Sequence, residues 1–392
     1  MNANDTLAQV AGDLIRRAFV ARASDIHLEP GENAPRARLR IDGVLQPLAD
    51  VPADQVPGII ERFKAMAGMN TAVTDQPQDG RLWLEIEGKQ LDLRVSSVPT
   101  VNGERVTARL MDLSAVRHRL ADLEMSADCL ARLGDLLKRP NGIILSTGPT
   151  GSGKTTTLYA MLSELDCEHN NVFSIEDPVE YLLPGVSQIA VRTSRGVTFT
   201  TAARAVLRQD PDVVMIGEVR DVETVNIAVQ IALTGHLVLT VLHAATAPGG
   251  LKRLMDMGLD PFLVNQAVIG VLSQRLVRKL CKACKRPSPP NLALLPGEVA
   301  TRIGADLDGF CEPVGCEACR GTGFRGRTAI HELLIPDDAV RAAVLSGGIE
   351  AIRQAARLGG MRTLLEDGLA KAAHGITSIN EVLRVSLTSP HE

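Results

Sequence analysis

Residues 148–155 read GPTGSGKT, with Gly148, Gly153, Lys154 and Thr155 at the fixed positions of a phosphate-binding loop. No other stretch constrains the fold as strongly, because this loop works only between a buried strand and the first turn of a helix. Both flanks comply. Ile143, Ile144 and Leu145 form an apolar run before it, and Thr156–Leu165 continues with helical periodicity. Glycines let the backbone wrap a phosphate with its N–H groups, and the helix N-terminus adds a favourable dipole. The predicted cradle is Gly148, Pro149, Thr150, Gly151, Ser152, Gly153, Lys154, Thr155 and Thr156. Lys154 is expected to reach the β- and γ-phosphates, and the Thr155 hydroxyl to hold magnesium. The alternative, a Gly-rich turn that binds nothing, is outweighed by a full match in the right setting.

From about residue 123 the chain alternates helical patterns with short continuous apolar runs at Gly142–Ser146, Asn171–Ile175, Asp212–Ile216 and His236–Leu242. Such runs are strands buried on both faces, which predicts a parallel sheet covered by helices. Residues 1–118 read instead as a small α+β domain. A helical pattern on Leu7, Val10, Leu14, Ile15 and Ala18 leads into alternating strands at Ser24–Pro30, Arg36–Ile41, Leu82–Ile86, Leu91–Ser96 and Arg105–Met111. Turn signals stand at Asp42-Gly43, Asp79-Gly80, Glu87-Gly88 and Asn102-Gly103. A linker at 112–122 separates the two domains. The second, 123–392, includes a cysteine-rich module at 281–325 and a helical C-terminal segment at 336–392.

Composition excludes several classes. The formal net charge of −4 lacks the concentrated basic residues of a dedicated nucleic-acid binder, and 3% aromatics cannot build base-stacking platforms. No apolar run reaches the roughly 18 residues of a membrane span; the longest, Ile231–Leu242, is broken by Thr234, Gly235 and His236. Asn4, Asp5, Arg16 and Arg17 interrupt any signal-peptide pattern at the N-terminus, so a cytoplasmic protein is expected.

Two further constellations carry chemistry. Val213–Ile216 ends in Gly217-Glu218, and a carboxylate just past such a strand sits at the magnesium and the attacking water in phosphate-loop enzymes. Cys281/Cys284 and Cys316/Cys319 are two CxxC pairs, four soft thiolates suited to structural zinc, with Gly315, Gly321 and Gly323 supplying tight turns. Reduced, unligated thiols are the alternative. Cys129, Cys167 and Cys311 have no partner at useful spacing.

At this point the chain resembles the secretion traffic ATPases of the type II secretion and type IV pilus assembly branch. The resemblance rests on ASDIHLEP (23–30), GPTGSGKTTTLYA (148–160), IEDPVEY (175–181), LRQDPDVVMIGEVRD (207–221), TGHLVLTVLH (234–243), the paired cysteines and DGLAKAAHGITSINEV (367–382), all in order. It implies an α/β fold: a RecA-like core with a smaller, PAS-like α+β N-terminal domain and a tetracysteine zinc module. It also implies a homo-hexameric enzyme that uses ATP, Mg2+ and Zn2+ on the cytoplasmic face of the inner membrane. There it drives pseudopilus or pilus assembly through a membrane platform protein, with neither nucleic acid nor a membrane span of its own.

By the same resemblance, Glu176, Asp177 and Glu180 form an acidic box that helps hold magnesium and orient water, and His243 senses the γ-phosphate. Glu218 is the expected general base, with the acidic-box glutamates as alternatives. Arg94 and Arg109 are expected to act on the phosphates. Arg94 shares a polar strand face with Asp92 and Ser96, and Arg109 shares one with Arg105 and Thr107, with Asn102-Gly103 as a hairpin between them.

Three departures from the family pattern stand out. The chain begins almost directly at the ASDIHLEP segment, so the extra N-terminal domain of many relatives is expected to be missing. Ala244-Ala245-Thr246 replaces a polar run after His243, and a Pro-rich loop, Pro287–Pro296, separates the cysteine pairs. Two more expectations concern charge. Asp25, His27 and Glu29 alternate on one strand face and point parallel, which predicts a solvated or interface face and not a metal site. Arg204 and Arg208 lie one helical turn apart, either pairing with the acidic box or solvated. The rival functions are a pilus-retraction or DNA-uptake motor, against which the cysteine module speaks, and a non-hydrolysing regulatory paralogue, against which Lys154, Thr155, Glu218 and His243 speak.

Overall fold

The computed structural model describes residues 3–32, 34–48, 51–112, 119–289, 309–346 and 348–386. The chain divides into two compact units, Met1–Val116 and Arg117–Glu392. Most of the expected linker, and most of the Pro-rich loop between the cysteine pairs, lie outside the described residues.

Among the described residues, the first unit is a six-stranded antiparallel sheet with two helices. The strands are β1 (Ala23–Glu29), β2 (Arg36–Ile41), β3 (Val44–Pro47), β4 (Gln78–Ile86), β5 (Lys89–Thr100) and β6 (Gly103–Asp112), ordered β3-β2-β1-β6-β5-β4. Helices α1 (Ala3–Val20) and α2 (Val56–Met66) contribute Leu14, Ile15, Ile59 and Phe63 to the core formed with Ile26, Leu28, Leu93 and Val106. Alternation thus sends one side chain in two toward the helices.

The opposite face departs from expectation. Asp25, His27 and Glu29 are buried there, not solvated. Glu29 accepts from Arg36 at 2.9 Å and Arg38 at 2.6 Å and pairs with Arg105 at 2.9 Å, while Asp25 accepts from Arg109 at 2.9 Å. Three strands side by side lay long guanidinium stems over short acids, which is how alternating charges become an interior layer. Desolvation works against the Glu29 carboxylate, but the hydrogen bonds from Arg38 and Arg36 win and hold its pKa below the ordinary range.

Asp79-Gly80 is also not a turn. Gly80 lies inside β4 opposite Val95, and a Cβ there would meet the Ala67 carbonyl oxygen at 2.3 Å. The glycine admits a close backbone approach from the end of α2.

The second unit has a mixed seven-stranded sheet among the described residues. Its strands are β7 (Gly142–Thr147), β8 (Val172–Glu176), β9 (Val186–Ala190), β10 (Val213–Ile216), β11 (Leu237–Leu242), β12 (Val268–Leu280) and, after a short β13–β14 pair (Arg286–Pro287, Cys311–Glu312), β15 (Phe324–Leu334). The order is β15-β12-β7-β11-β10-β8-β9, parallel throughout except that β15 runs antiparallel to β12. The four apolar runs read from the sequence, β7, β8, β10 and β11, pair in parallel as expected, and the antiparallel β15 is an edge strand outside that reading. Helices α3 (Ala127–Leu137), α4 (Lys154–Ser163), α5 (Phe199–Val206), α6 (Val222–Leu233), α7 (Ala247–Asp256) and α8 (Pro261–Ala267) accompany the sheet. Four more, α9 (Asp338–Ser346), α10 (Ile349–Leu358), α11 (Leu364–Ala373) and α12 (Ile379–Ser386), follow β15. Every residue of β7, β10 and β11 is buried, which explains their unbroken apolar sequences. No described helix is long and apolar enough to cross a membrane.

Candidate active site

Parallel strands bring their carboxyl ends to one edge, where ligands bind in open α/β sheets. Along that edge the order β7, β11, β10, β8 sets side by side the phosphate loop, His243, Glu218 and the acidic box. The loop leaves β7 at Thr147 and enters α4 at Lys154 through Gly153, which has a positive φ of 90°. Gly148 is the tightest point: its φ is 146°, and a Cβ would lie 2.5 Å from Ser152 Oγ and 2.6 Å from the Gln274 carbonyl oxygen.

Lys154 is buried, and its Nζ donates to the carbonyl oxygens of Gly148 and Pro149, both at 2.8 Å. Desolvation, with help from the Arg275 charge, lowers its pKa to about 8; Glu218 opposes the shift. His243 hydrogen-bonds to the same Gly148 backbone. Its pKa is lowered by desolvation first and by Lys154 next, again opposed by Glu218. Lys154, His243 and Glu218 thus share one electrostatic neighbourhood. Glu218 pairs with Arg220 at 2.6 Å.

The acidic box splits in two. Glu176 is buried, and both its oxygens are engaged: Oε2 accepts from the Tyr159 hydroxyl, and Oε1 accepts from Ser174 at 2.5 Å and Gln188 at 3.0 Å. Desolvation and this carboxylate raise the Tyr159 pKa. Asp177 is exposed and Glu180 half-buried, so these two lie on the open side. Arg204 does not reach the box; it pairs with Glu223 at 3.3 Å on an exposed surface.

In the first unit, Arg94 lies directly opposite Arg109 in the β5–β6 register. Arg109 is held by buried Asp25, and Arg94 lies 3.9 Å from buried Asp92.

Cys281, Cys284, Cys316 and Cys319 form a compact quartet, with all four sulfurs within 4.8 Å of one another. Three of the separations are 3.9, 3.8 and 3.7 Å. A tetrahedron with metal–sulfur bonds of about 2.3 Å has edges of about 3.8 Å, so the quartet fits zinc. Desolvation raises the Cys319 pKa, but the N–H groups of Cys316 (3.1 Å) and Gly323 (3.2 Å) prevail and hold it at about 6. Gly315, Gly321 and Gly323 all have positive φ, and a Cβ on Gly315 would strike the Gly321 carbonyl at 2.6 Å. Among the other cysteines, Cys129 is buried and its thiol is pushed up to about 12 by desolvation first.

The profile of the type II/IV secretion system proteins matches residues 2–384. The chain belongs to that family. With a complete phosphate loop in its strand–loop–helix setting, it is a P-loop ATPase of the family. It is 47% identical to the type II secretion system protein HxcR of Pseudomonas aeruginosa over 95% of this chain and 76% of that one. It is 46% identical to the type IV pilus assembly ATPase PilB of Thermus thermophilus over 94% of this chain and 42% of that one. Among solved structures, the pilus retraction motor PilT with bound ADP matches with a TM-score of 0.62 at 25% identity, covering 97% of this chain and 96% of that one.

In this secretion-family ATPase, two residues absent from the sequence-based site also touch the loops. Gln274 Nε2 donates to the Ser152 carbonyl at 2.7 Å, and Arg275 donates to the Ala245 carbonyl at 2.6 Å beside His243. Their signal in the sequence is the polar triplet Ser273-Gln274-Arg275 interrupting the apolar run Val268–Leu272 in mid-strand.

Proposed function

We propose that this chain hydrolyses ATP with magnesium and works as the motor of a type II secretion or type IV pilus assembly machine. The observation that carries the reading is the convergence of Lys154, His243 and Glu218 around the Gly148 end of the phosphate loop. The loop N–H groups and Lys154 bind the phosphates, and Thr155 holds magnesium. Glu218 takes a proton from the attacking water, while Asp177 and Glu180 supply charge on the open side. Glu176, committed to Tyr159, Ser174 and Gln188, fixes the shape of the acidic box. Arg94 and Arg109 bring positive charge to the phosphates during turnover. Zinc on the four cysteines staples the β12 and β15 ends of the module.

The working form in this reading is a homo-hexamer at the cytoplasmic face of the inner membrane, engaging a platform protein. A retraction motor is the second reading, favoured by the likeness to PilT. The cysteine quartet and the higher identity to the secretion and pilus-assembly relatives favour the first. Phosphate release from Mg-ATP by the purified chain tests the enzyme: wild type should turn over and Lys154→Ala should not. Equal rates would refute the reading. Complementation of a secretion-motor deletion and of a retraction-motor deletion separates the two machines.

A further inference from the structure

We propose that Gln274 is a positioning residue for nucleotide binding, setting the orientation of the phosphate-loop peptide that carries the Gly153 N–H. This rests on the phosphate-loop reading above and extends it to β12, a strand that contributes no residue to the loop itself.

Gln274 sits in the middle of β12, next to β7, and is 1% exposed. A buried amide has four hydrogen-bonding positions to satisfy. Here the side chain makes one hydrogen bond among the described residues, from Nε2 to the Ser152 carbonyl at 2.7 Å. Its Oε1 is buried with no partner among them, and neither ring nitrogen of His331, its register partner on β15, has one either. A residue kept for stability alone would be replaced to advantage by a leucine or methionine, because unpaired buried polar atoms are costly. The one bond that is made goes to the loop.

That bond fixes a direction. The peptide between Ser152 and Gly153 is planar and trans, so its carbonyl and N–H point opposite ways. Drawing the Ser152 oxygen toward β12 turns the Gly153 N–H away from β12, the orientation a phosphate cradle requires. The acceptor is a carbonyl, so only the NH2 end of the amide can face it, which removes any ambiguity about the side chain's rotation. Gly153 and Gly148 make the approach possible: a Cβ on Gly153 would stand 3.1 Å from Gln274 Nε2, and one on Gly148 would stand 2.6 Å from the Gln274 carbonyl. On the other face of the strand Arg275 and Ser273 both donate to the Ala245 carbonyl, at 2.6 and 3.2 Å, so the polar triplet grips a loop on each side.

Orientation of a ground-state phosphate contact belongs to uniform binding, which moves KM and leaves kcat nearly unchanged. The test uses the full chain with Gln274→Met, which keeps the volume and removes the donor, and Gln274→Asn, which keeps the amide but falls short of Ser152. The control is Leu272→Met, on the same strand and the same face. Mg-ADP affinity is measured by calorimetry, and KM and kcat for ATP by phosphate release. Both Gln274 variants should weaken Mg-ADP binding and raise KM by about tenfold, with kcat within about twofold of wild type and the control unaffected. Wild-type affinity and KM in both variants, or an equal loss in Leu272→Met, would overturn the inference. A wild-type chain that binds no Mg-ADP would overturn the phosphate-loop reading and this inference with it.

Discussion

The ammonium of Lys154 lies 2.8 Å from the carbonyl oxygen of Gly148, the residue whose backbone also receives His243. One peptide at the start of the loop therefore ties the phosphate-binding charge to the neighbouring strand tip. The same burial that holds Lys154 there lowers its pKa to about 8, desolvation being the larger cause and Arg275 the second.

The lowered pKa gives nucleotide binding a pH dependence of definite sign. Below pH 8 Lys154 is charged and attracts phosphate; above it the free protein loses that charge, and binding must supply the proton. Mg-ADP affinity should fall as pH rises from 7 to 9.5, by up to about tenfold per unit above 8. Stability moves the other way. Between the folded value of about 8 and the ordinary 10.5, the unfolded chain holds a proton that the folded one has lost, so this group favours folding as pH rises through that window. Calorimetric titration across the range checks the first sign. In Lys154→Ala, binding should be weak and flat with pH.

The arginine pair of the first unit makes a separable prediction. Arg94→Ala and Arg109→Ala should each reduce ATP turnover severely, up to the roughly 10³–10⁵ seen for lost arginine fingers, while the unit stays folded. Arg109→Lys is the sharper variant. A lysine can still neutralise buried Asp25, which Arg109 contacts at 2.9 Å, but cannot present a planar fork to a phosphate. Its melting temperature should match wild type while turnover stays low; full activity in Arg109→Lys would reduce Arg109 to a structural partner of Asp25.

The cysteine quartet should carry about one zinc per chain by elemental analysis. Cys316→Ser should lower zinc content and melting temperature together and leave Mg-ADP affinity within about twofold. A metal-free preparation that melts at the wild-type temperature would remove the zinc.

Much of the nucleotide core was legible because burial on both faces leaves a plain trace. Val213–Ile216 and Leu237–Leu242 are continuous apolar runs, and the loop between β7 and α4 has its residues in fixed positions. Elements escaped where a residue had two uses. Helix α2 was not read from the sequence at all; Pro57 stands in its first turn, where proline is at home. Gly80 read as a turn and serves as a gap for the Ala67 carbonyl. β12 carries Ser273, Gln274 and Arg275 through the middle of the sheet, so its sequence does not look like a buried strand. The Asp25–Glu29 layer was misread for another reason: alternation gives the face of a side chain, but the arginines that cover it come from β2 and β6, and that pairing is a long-range fact. In the acidic box, the family resemblance pointed to Glu176 but gave no hint of its partners Tyr159 and Gln188.

The central claim is that a water attacks ATP with Glu218 as its base, and Glu218→Gln tests it most directly. The amide keeps the size of the side chain but cannot accept the proton. Single-turnover phosphate release and Mg-ATP binding should be measured on the same preparation. The account predicts wild-type binding with hydrolysis reduced at least about a hundredfold. Hydrolysis at the wild-type rate would contradict it and pass the role of base to Glu180 or Asp177.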